Sequence, residues 1–242
     1  MNFKRTIRTL GAVITLSTAL ALSSSFEVNA QQFETSWTPL APEGFNESLA
    51  ARLAEARSHI VTDYEDISAF SSIVVWVNPI ADQYFRSRFP ATWGSEMTRA
   101  ITEAGRLFRS RFSLTLANAT PGAWTSPNTR NGSDLLNHAW QRYGRGGQQL
   151  MVAFTGRTNL FWNAANPNFF IGGLGFVGAP GSLVMHQGFF SDAAVTRHEI
   201  GHNYGLPDRP SNVRCFMNNP YIFFEEMCAS CDAIFRQNLR LF

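Results

Sequence analysis

The stretch His198-Glu-Ile-Gly-His-Asn-Tyr-Gly-Leu-Pro-Asp208 decides how the chain is interpreted. His198 and His202 are four residues apart, so a helix places both imidazoles on one face, one turn apart. Gly205 can adopt the positive φ that ends a helix, and the chain can then bring Asp208 back toward the histidines. Two neutral nitrogens and one carboxylate oxygen, with a fourth position left for water, are the ligand pattern of an open catalytic zinc site.

Glu199 stands directly beside the first histidine and can reach the space in front of a bound metal. A structural zinc site does not require a free carboxylate there, so Glu199 favours a catalytic site. The mechanism that these residue types predict begins with zinc, which lowers the pKa of its water and polarises a carbonyl group. Glu199 then takes the proton of the water and passes it to the leaving amine.

Strand and helix patterns alternate along the chain that surrounds this motif. Predicted strands cover 71–78, 112–117, 149–155 and 182–186, with a short extended edge at 173–178, and predicted helices cover 93–112, 133–143 and 232–242. Pro79 is expected to end the first strand, Ser133 to cap the helix that follows it, and Ser191 to begin the helix that carries the motif. This alternation predicts an α/β fold with a mainly parallel twisted sheet covered by helices.

The first thirty residues have the features of a secretory signal peptide. Basic residues at positions 4, 5 and 8 precede an apolar run from Leu10 to Leu22, and Val28-Asn29-Ala30 supplies a cleavage site. A membrane anchor is the alternative, but the run is short for a span and no later stretch reaches eighteen apolar residues. We therefore expect cleavage after Ala30 and a secreted or periplasmic protein with no membrane attachment.

The net charge of +2 belongs entirely to this signal, because Lys4, Arg5, Arg8 and Glu27 together carry it. The remaining chain is formally neutral and contains no lysine. A neutral chain has no long-range attraction for nucleic acid or for an anionic membrane, so both classes of partner are excluded. Its apolar fraction of 45% is sufficient for a packed core of one ordinary domain.

Two regions of different character follow the signal. Residues 31–69 are predicted to form an N-terminal segment, either a pro-segment or a docking helix, because apolar residues recur at helical spacing within 43–64. Residues 70–242 are predicted to form the catalytic domain, with a small C-terminal subdomain from about residue 206.

The motif H-E-x-x-H-x-x-G-x-x-D, with Met217 nine residues after its last ligand, resembles the metzincin clan of zinc endopeptidases. Metzincins place a methionine in a tight turn beneath the metal, and Cys215-Phe-Met217 is similar to this Met-turn, although Met227 is a second candidate. Asp208 stands where most metzincins have histidine, and the GLPD form is similar to snapalysin. No tyrosine stands two residues after Met217, where astacin-like enzymes place a transition-state donor.

The segment GLGFVGAPGSLVMHQG, residues 173–188, is similar to the edge strand and following segment of reprolysin- and adamalysin-like members. The resemblance implies an α+β metzincin-like arrangement: a mixed sheet with an antiparallel edge strand, two long helices, the active-site helix and a small C-terminal subdomain. It also implies a protein or peptide substrate that binds in extended conformation along the edge strand.

The three cysteines, Cys215, Cys228 and Cys231, all follow the zinc motif. This tail resembles that of archaemetzincins, whose C-terminal cysteines bind a second, structural zinc through four thiolates. The chain has three cysteines, and Arg209 stands about where the first would be. In an exported protein we expect Cys215 to form a disulfide with Cys228 or Cys231. A three-cysteine zinc site with one outside ligand is the alternative.

Two functions from different classes are consistent with these residues. The first is a secreted, monomeric zinc-dependent endopeptidase with one catalytic zinc. The second is a catalytically weak metzincin-fold protein that works as a binding module. The intact Glu199 favours the endopeptidase, and the missing tyrosine after Met217 slightly favours the binding module. A metal hydrolase acting on a non-peptide amide is a third possibility, which the long apolar edge segment disfavours.

Overall fold

The structure, a computed structural model, describes residues 72–162, 171–186, 192–210, 212–218 and 224–242. In chain order the elements are β1 (Ile73–Ala81), α1 (Gln83–Arg88), α2 (Trp93–Phe112), β2 (Leu114–Asn118), β3 (Gly122–Ala123), α3 (Gly132–Tyr143), β4 (Leu150–Thr155), β5 (Gly173–Gly175), β6 (Gly181–Met185), α4 (Asp192–Asn203) and α5 (Ala229–Gln237). The predicted signal peptide at 1–30 and the predicted segment at 31–69 lie outside the described residues. None of the helices in the described ranges combines the length and the apolar character that a membrane span needs.

The strands of the described chain form one six-stranded sheet in the order β2-β1-β4-β6-β5, with β3 beside the end of β1. β1 pairs in parallel with β2, β3 and β4, and β4 pairs in parallel with β6. β5 runs antiparallel to β6, with Leu174 opposite Leu183, and forms one edge of the sheet. The α/β fold with a mainly parallel sheet and an antiparallel edge strand is therefore confirmed.

The sheet is packed between two layers of helices, which explains why its inner strands are buried at every position and mostly apolar. β4 (LMVAFT) and β6 (GSLVM) are completely buried. One face packs against α2, α4 and α5, in a cluster that includes Met97, Val195 and Phe235. The opposite face packs against α3 through Leu135 and Leu136.

The long helix α2 has the bounds that its sequence pattern predicts, Trp93–Phe112. Met97, Ile101, Ala104 and Phe108 form its buried stripe and face the sheet. Ser113 ends the helix in the left-handed conformation, with φ 54°, and its backbone N–H donates to the carbonyls of Arg109 and Phe108.

Pro79 does not end the first strand, contrary to the sequence prediction, because β1 continues to Ala81. The carbonyls of Val77 and Ala81 accept hydrogen bonds from the side where β2 and β3 lie, from Ala119 and Trp124. Since backbone direction alternates along a strand, the Pro79 nitrogen faces the same side. It falls between the last β2 pair, at Val77, and the first β3 pair, at Ile80, so no ladder hydrogen bond is lost there.

The N-cap of α3 is Asn131, not Ser133 as predicted. The Asn131 side-chain oxygen accepts hydrogen bonds from the backbone N–H groups of Ser133 and Asp134, at 3.0 and 3.3 Å. Both residue types are good N-caps, so composition alone could not choose between them. The Ser133 hydroxyl instead donates to the carbonyl of Trp162.

Helix α5 begins at Ala229, three residues before the predicted closing helix. Phe235 of this helix stacks on Phe108 and Phe112 of α2, with ring centroids 4.9 and 4.6 Å apart. The chain that follows the zinc motif therefore packs into the same core as the helices that cover the sheet.

Candidate metal centre

Helix α4, Asp192–Asn203, carries the two histidines of the predicted site. Every residue of α4 from Ala193 to Asn203 is buried, because the helix packs against α2, β5 and β6. His198 and His202 are 5% and 3% exposed. Because the helix is packed on all sides, both imidazoles are held in fixed positions.

The three predicted ligands come together. Nε2 of His198 lies 3.0 Å, and Nε2 of His202 3.6 Å, from Oδ1 of Asp208. One ligand atom from each residue lies within 4.8 Å of the other two. The site is thus assembled from the residues that the motif predicts as metal ligands.

The turn after the helix delivers the third ligand. Gly205 has φ 81°, as its predicted role at the helix end requires. Its backbone N–H donates to the carbonyl of His202, and that of Leu206 donates to the carbonyl of Gly201. These bonds form a Schellman-type ending that reverses the chain and brings Asp208 beneath the histidines.

Two backbone carbonyls orient the imidazoles. Nδ1 of His198 lies 3.1 Å from the carbonyl oxygen of Phe216, and Nδ1 of His202 lies 2.8 Å from that of Leu206. A carbonyl accepts only, so each Nδ1 carries a proton and Nε2 is the nitrogen that faces Asp208. Such carbonyl partners are the usual support of metal-binding histidines. Sequence reasoning missed both, because any residue type supplies a carbonyl.

The donor atoms fit a divalent cation. Oδ1 of Asp208 is buried and accepts no hydrogen bond, although it faces both histidines. Burial lowers the pKa of His202 to about 4, so this imidazole is neutral at pH 7. Burial would raise the pKa of Asp208, but the close approach of His198 and His202 outweighs it and lowers that pKa. A neutral nitrogen beside an unsatisfied carboxylate oxygen is a donor set suited to zinc.

His198 and Glu199 are buried ionisable groups whose pKa values are shifted by their surroundings. Burial would lower the pKa of His198, but the nearby carboxylates of Asp208 and Glu199 raise it to about 9. Burial raises the pKa of Glu199 to about 8, since this carboxyl is 5% exposed. A cation placed beside both groups would favour the neutral imidazole and the ionised carboxylate.

The predicted turn beneath the site is present. The backbone N–H of Asn218 donates to the carbonyl of Cys215 at 2.9 Å, which closes a tight turn with Met217 at its third position. The Asn218 side chain donates to the carbonyls of Pro210 and Val213 and so holds the turn in place.

Gly201 lets this turn approach the helix. A Cβ atom at Gly201 would collide with Sδ of Met217 and would lie 2.9 Å from Cε2 of Phe216. The thioether therefore packs directly against the helix between the two ligand histidines. The sequence motif alone did not identify Gly201 as the residue that allows this close contact. The signal was present, since a glycine inside a helix costs about 1 kcal/mol relative to alanine and so indicates a close contact.

The predicted disulfide is not formed, because Cys215, Cys228 and Cys231 are all free thiols. Their sulfur atoms lie within 4.8 Å of one another and form a second group that could hold a metal ion. Nε of Arg209 donates to Sγ of Cys231 at 3.2 Å, and the Cys228 N–H donates to Sγ of Cys215. The hydrogen bond from Cys231 lowers the pKa of Cys215 to about 5 and raises that of Cys231. The arrangement favours the alternative prediction of a three-thiol metal site.

The edge strand β5 lies against helix α4. Its Leu174 side chain is buried in the cluster on the α3 face of the sheet, so Gly173 and Gly175 face the helix. The carbonyl of Gly172 and the N–H of Phe176 bond to β6. By the alternation of backbone direction, the N–H and C=O groups of Gly173 and Gly175 point away from β6, to the side where the described part of the chain has no further strand.

Comparison with known proteins finds solved structures that are similar to part of the chain. No family model and no curated protein matches the chain. A zinc-dependent peptidase from Methanocorpusculum labreanum (strain Z) superposes with a TM-score of 0.45 and 15% identity, over 66% of this chain and 99% of the peptidase. A chain from a structure of a chaperone–substrate complex gives a TM-score of 0.47 and 13% identity. That match covers 60% of this chain and 28% of the other. At these values the functional argument depends on the site residues.

Proposed function

We propose that the protein is a zinc-dependent endopeptidase of the metzincin type. The observation that carries the proposal is the assembly of His198, His202 and Asp208 around one buried, unsatisfied carboxylate oxygen, with Glu199 on the same helix. A structural metal site does not require a free carboxylate beside its ligands, whereas an open catalytic site uses one as a general base. The tight turn that packs Met217 against the helix supports the resemblance to metzincins.

The residues of the chain have distinct tasks in this mechanism. His198, His202 and Asp208 hold the metal, and the carbonyls of Phe216 and Leu206 fix the two imidazole tautomers. Zinc bound there supplies the Lewis acidity that activates water and polarises the scissile carbonyl. Glu199 accepts the proton of the attacking water and donates it to the leaving amine.

The substrate proposed is a protein or peptide in extended conformation. The free edge of β5 presents the N–H and C=O groups of Gly173 and Gly175 beside the helix that carries Glu199. A substrate strand can pair with such an edge and place its backbone next to the site. We propose that the enzyme is a monomer. The signal-peptide features of its N-terminal sequence support the further proposal that it acts in the secreted or periplasmic space.

Hydrolysis of casein by the purified protein, with Glu199→Ala beside it, tests the function. The variant should lose about 10²–10⁴-fold in kcat/KM and keep its zinc. Glu103→Ala is a matched control, since Glu103 is a partly exposed residue of α2 that pairs with Arg99 at 3.6 Å. Equal turnover by Glu199→Ala and the wild type would overturn the mechanism. No turnover by either protein would favour the alternative, a catalytically weak binding module.

The second candidate is a metal at the three cysteines, and the proximity of three free thiols favours it. Zinc per chain and reactive thiols, counted with and without reductant, test this assignment. Two zinc ions per chain and three thiols on unfolding support it. One zinc ion and a single thiol would instead support the disulfide predicted from the sequence.

A further inference from the structure

Gly173 of the edge strand lies against the carboxylate proposed as the general base. We propose that Gly173 is a positioning residue for Glu199: the missing side chain leaves the space in which the carboxylate is held. The inference rests on the proposed function for its catalytic meaning, but the contact itself belongs to the described structure. Gly173 has no unusual φ, so space and not backbone freedom is what the glycine provides.

A methyl group at this position has nowhere to go. A Cβ atom on Gly173 would lie 2.6 Å from Oε1 of Glu199, 2.7 Å from the carbonyl oxygen of Leu183 and 2.8 Å from Cγ1 of Val195. The Leu183 carbonyl belongs to β6, which β4 and β5 hold from both sides. Val195 belongs to α4 itself and is packed in the core. The Glu199 carboxylate is therefore the neighbour most able to move, and it is the one whose position the chemistry depends on.

Gly175, two residues along the same strand, provides the internal comparison. A Cβ atom there would lie 2.6 Å from the backbone oxygen of Glu199 and 2.9 Å from Cβ of His202. This position therefore faces the main chain of the helix and not the carboxylate. The two glycines bring β5 against α4 together, but only Gly173 adjoins the reacting group.

The consequence is a division of effects. A displacement of about 1 Å in a catalytic group costs about 10²-fold in rate. We expect Gly173→Ala to lower kcat by about 10²-fold while KM changes little and zinc content stays at the wild-type value. The imidazoles are fixed from the other side of the helix, by Phe216 and Leu206, so the ligands should hold their places.

The kinetic test compares Gly173→Ala with Gly175→Ala and Gly94→Ala on a peptide substrate. Gly94 lies in α2, where a Cβ atom would meet Pro121 at an ordinary 3.5 Å, so its variant should behave as the wild type. Gly175→Ala should lose zinc affinity as well as rate, since it presses on the helix at His202. A Gly173→Ala variant with wild-type kcat and a raised KM would overturn the proposal, because the strand and not Glu199 would then have moved.

A thermodynamic cycle provides a readout besides activity. Gly173→Ala should lower the Tm of the zinc-loaded protein by several degrees, and by clearly less in a Glu199→Ala background, where the carboxylate is gone. Equal losses in the two backgrounds would overturn the proposal, since contacts with Leu183 and Val195 would then account for the whole effect. The cycle needs no catalysis, so it remains decisive if the protein hydrolyses nothing and the proposed function fails.

Discussion

The two groups of candidate metal ligands, the histidine–aspartate site and the three cysteines, are alike in size and different in surroundings. Each offers three ligand atoms within 4.8 Å of one another. In the first, two carbonyls orient the imidazoles, and a carboxylate of raised pKa stands on the same helix. In the second, Arg209 donates to Cys231, and Cys228 caps the N-terminus of α5.

Two groups with the same number of ligand atoms can therefore differ in the residues that surround them. An acid–base group beside the ligands favours a catalytic role for a site. A guanidinium beside thiols instead neutralises their charge and favours a structural role. The four expectations below test this distinction, and they are ordered from the largest expected effect to the smallest.

Loss of a histidine ligand should abolish function at the first site alone. His202→Ala should release the zinc of the histidine site and reduce hydrolysis to background, since Nε2 of His202 is one of three ligand atoms. Zinc per chain and casein hydrolysis measure the effect. His138→Gln is the control, because His138 accepts from Trp124 on the α3 side of the sheet. Undiminished zinc in His202→Ala would mean that the metal is elsewhere, with the cysteines as the first candidate.

Removing the charge of Glu199 should stabilise the metal-free protein at alkaline pH. The folded-state pKa of Glu199 is raised from 4.5 to about 8, so between these values the folded state holds a proton that the unfolded state has lost. Stability therefore falls as pH rises through this window, and the penalty is complete above about pH 8. Glu199→Gln cannot ionise and should be more stable than the wild type at pH 8, by about 2–5 kcal/mol.

Urea unfolding of the EDTA-treated proteins at pH 4 and pH 8 tests this expectation. The two proteins should be equally stable at pH 4, where the wild-type carboxyl is protonated in both states. A wild-type protein whose stability advantage over Glu199→Gln grew with pH would show that the carboxylate is favoured in the folded state.

Filling the space at Gly201 should damage the support under the histidine site. Gly201→Ala places a methyl group against Sδ of Met217, and overpacking of this kind costs about 1–3 kcal/mol. Thermal unfolding measures the loss. In the same protein, Met217→Ala should relieve part of it, since the thioether is the nearest obstacle. A Gly201→Ala protein as stable as the wild type would place the methionine turn further from the helix than the structure has it.

The smallest effect on hydrolysis is expected at the cysteines. Cys228→Ser should leave kcat/KM within about two-fold of the wild type, because this half-buried thiol lies outside the histidine site. Zinc per chain should nevertheless fall if the three thiols hold a metal. A large loss of activity with the histidine-site zinc retained would contradict the separation of the two sites.

Most of the fold could be predicted because the spacing of apolar residues along the chain matches the positions that the structure buries. The stripe of α2 gave correct bounds for a twenty-residue helix, and the continuous apolar run of β4 gave a buried strand to within a residue. The errors have local causes. Pro79 stays inside β1 because its nitrogen faces a gap between two neighbouring strands. That gap is a property of pairing and cannot be read from the residue itself.

Within the site, side chains with a fixed chemical role could be predicted, and contacts made by the backbone could not. The spacing of His198, His202 and Asp208 predicts that these side chains meet, and the structure brings them together as a group that could hold a metal ion. The carbonyls of Phe216 and Leu206 leave no mark in the sequence, since their partners depend on how the turns fold. The pairing state of the cysteines was predicted from the compartment and not from contacts, and the structure has free thiols instead.

One main-chain hydrogen bond affects how much the loop between Asp208 and Met217 can vary in length. The Arg209 N–H donates to the carbonyl of Met217 at 2.7 Å and closes the loop between the last ligand and the methionine. Extra residues inserted within 212–214 would lengthen a closed loop, and doubling a loop costs only about 0.6 kcal/mol. A change that separates the two ends would remove the thioether from beneath the helix. Spacings other than nine residues between Asp208 and Met217 are thus compatible with this turn, provided that the hydrogen bond joining the two ends of the loop is kept.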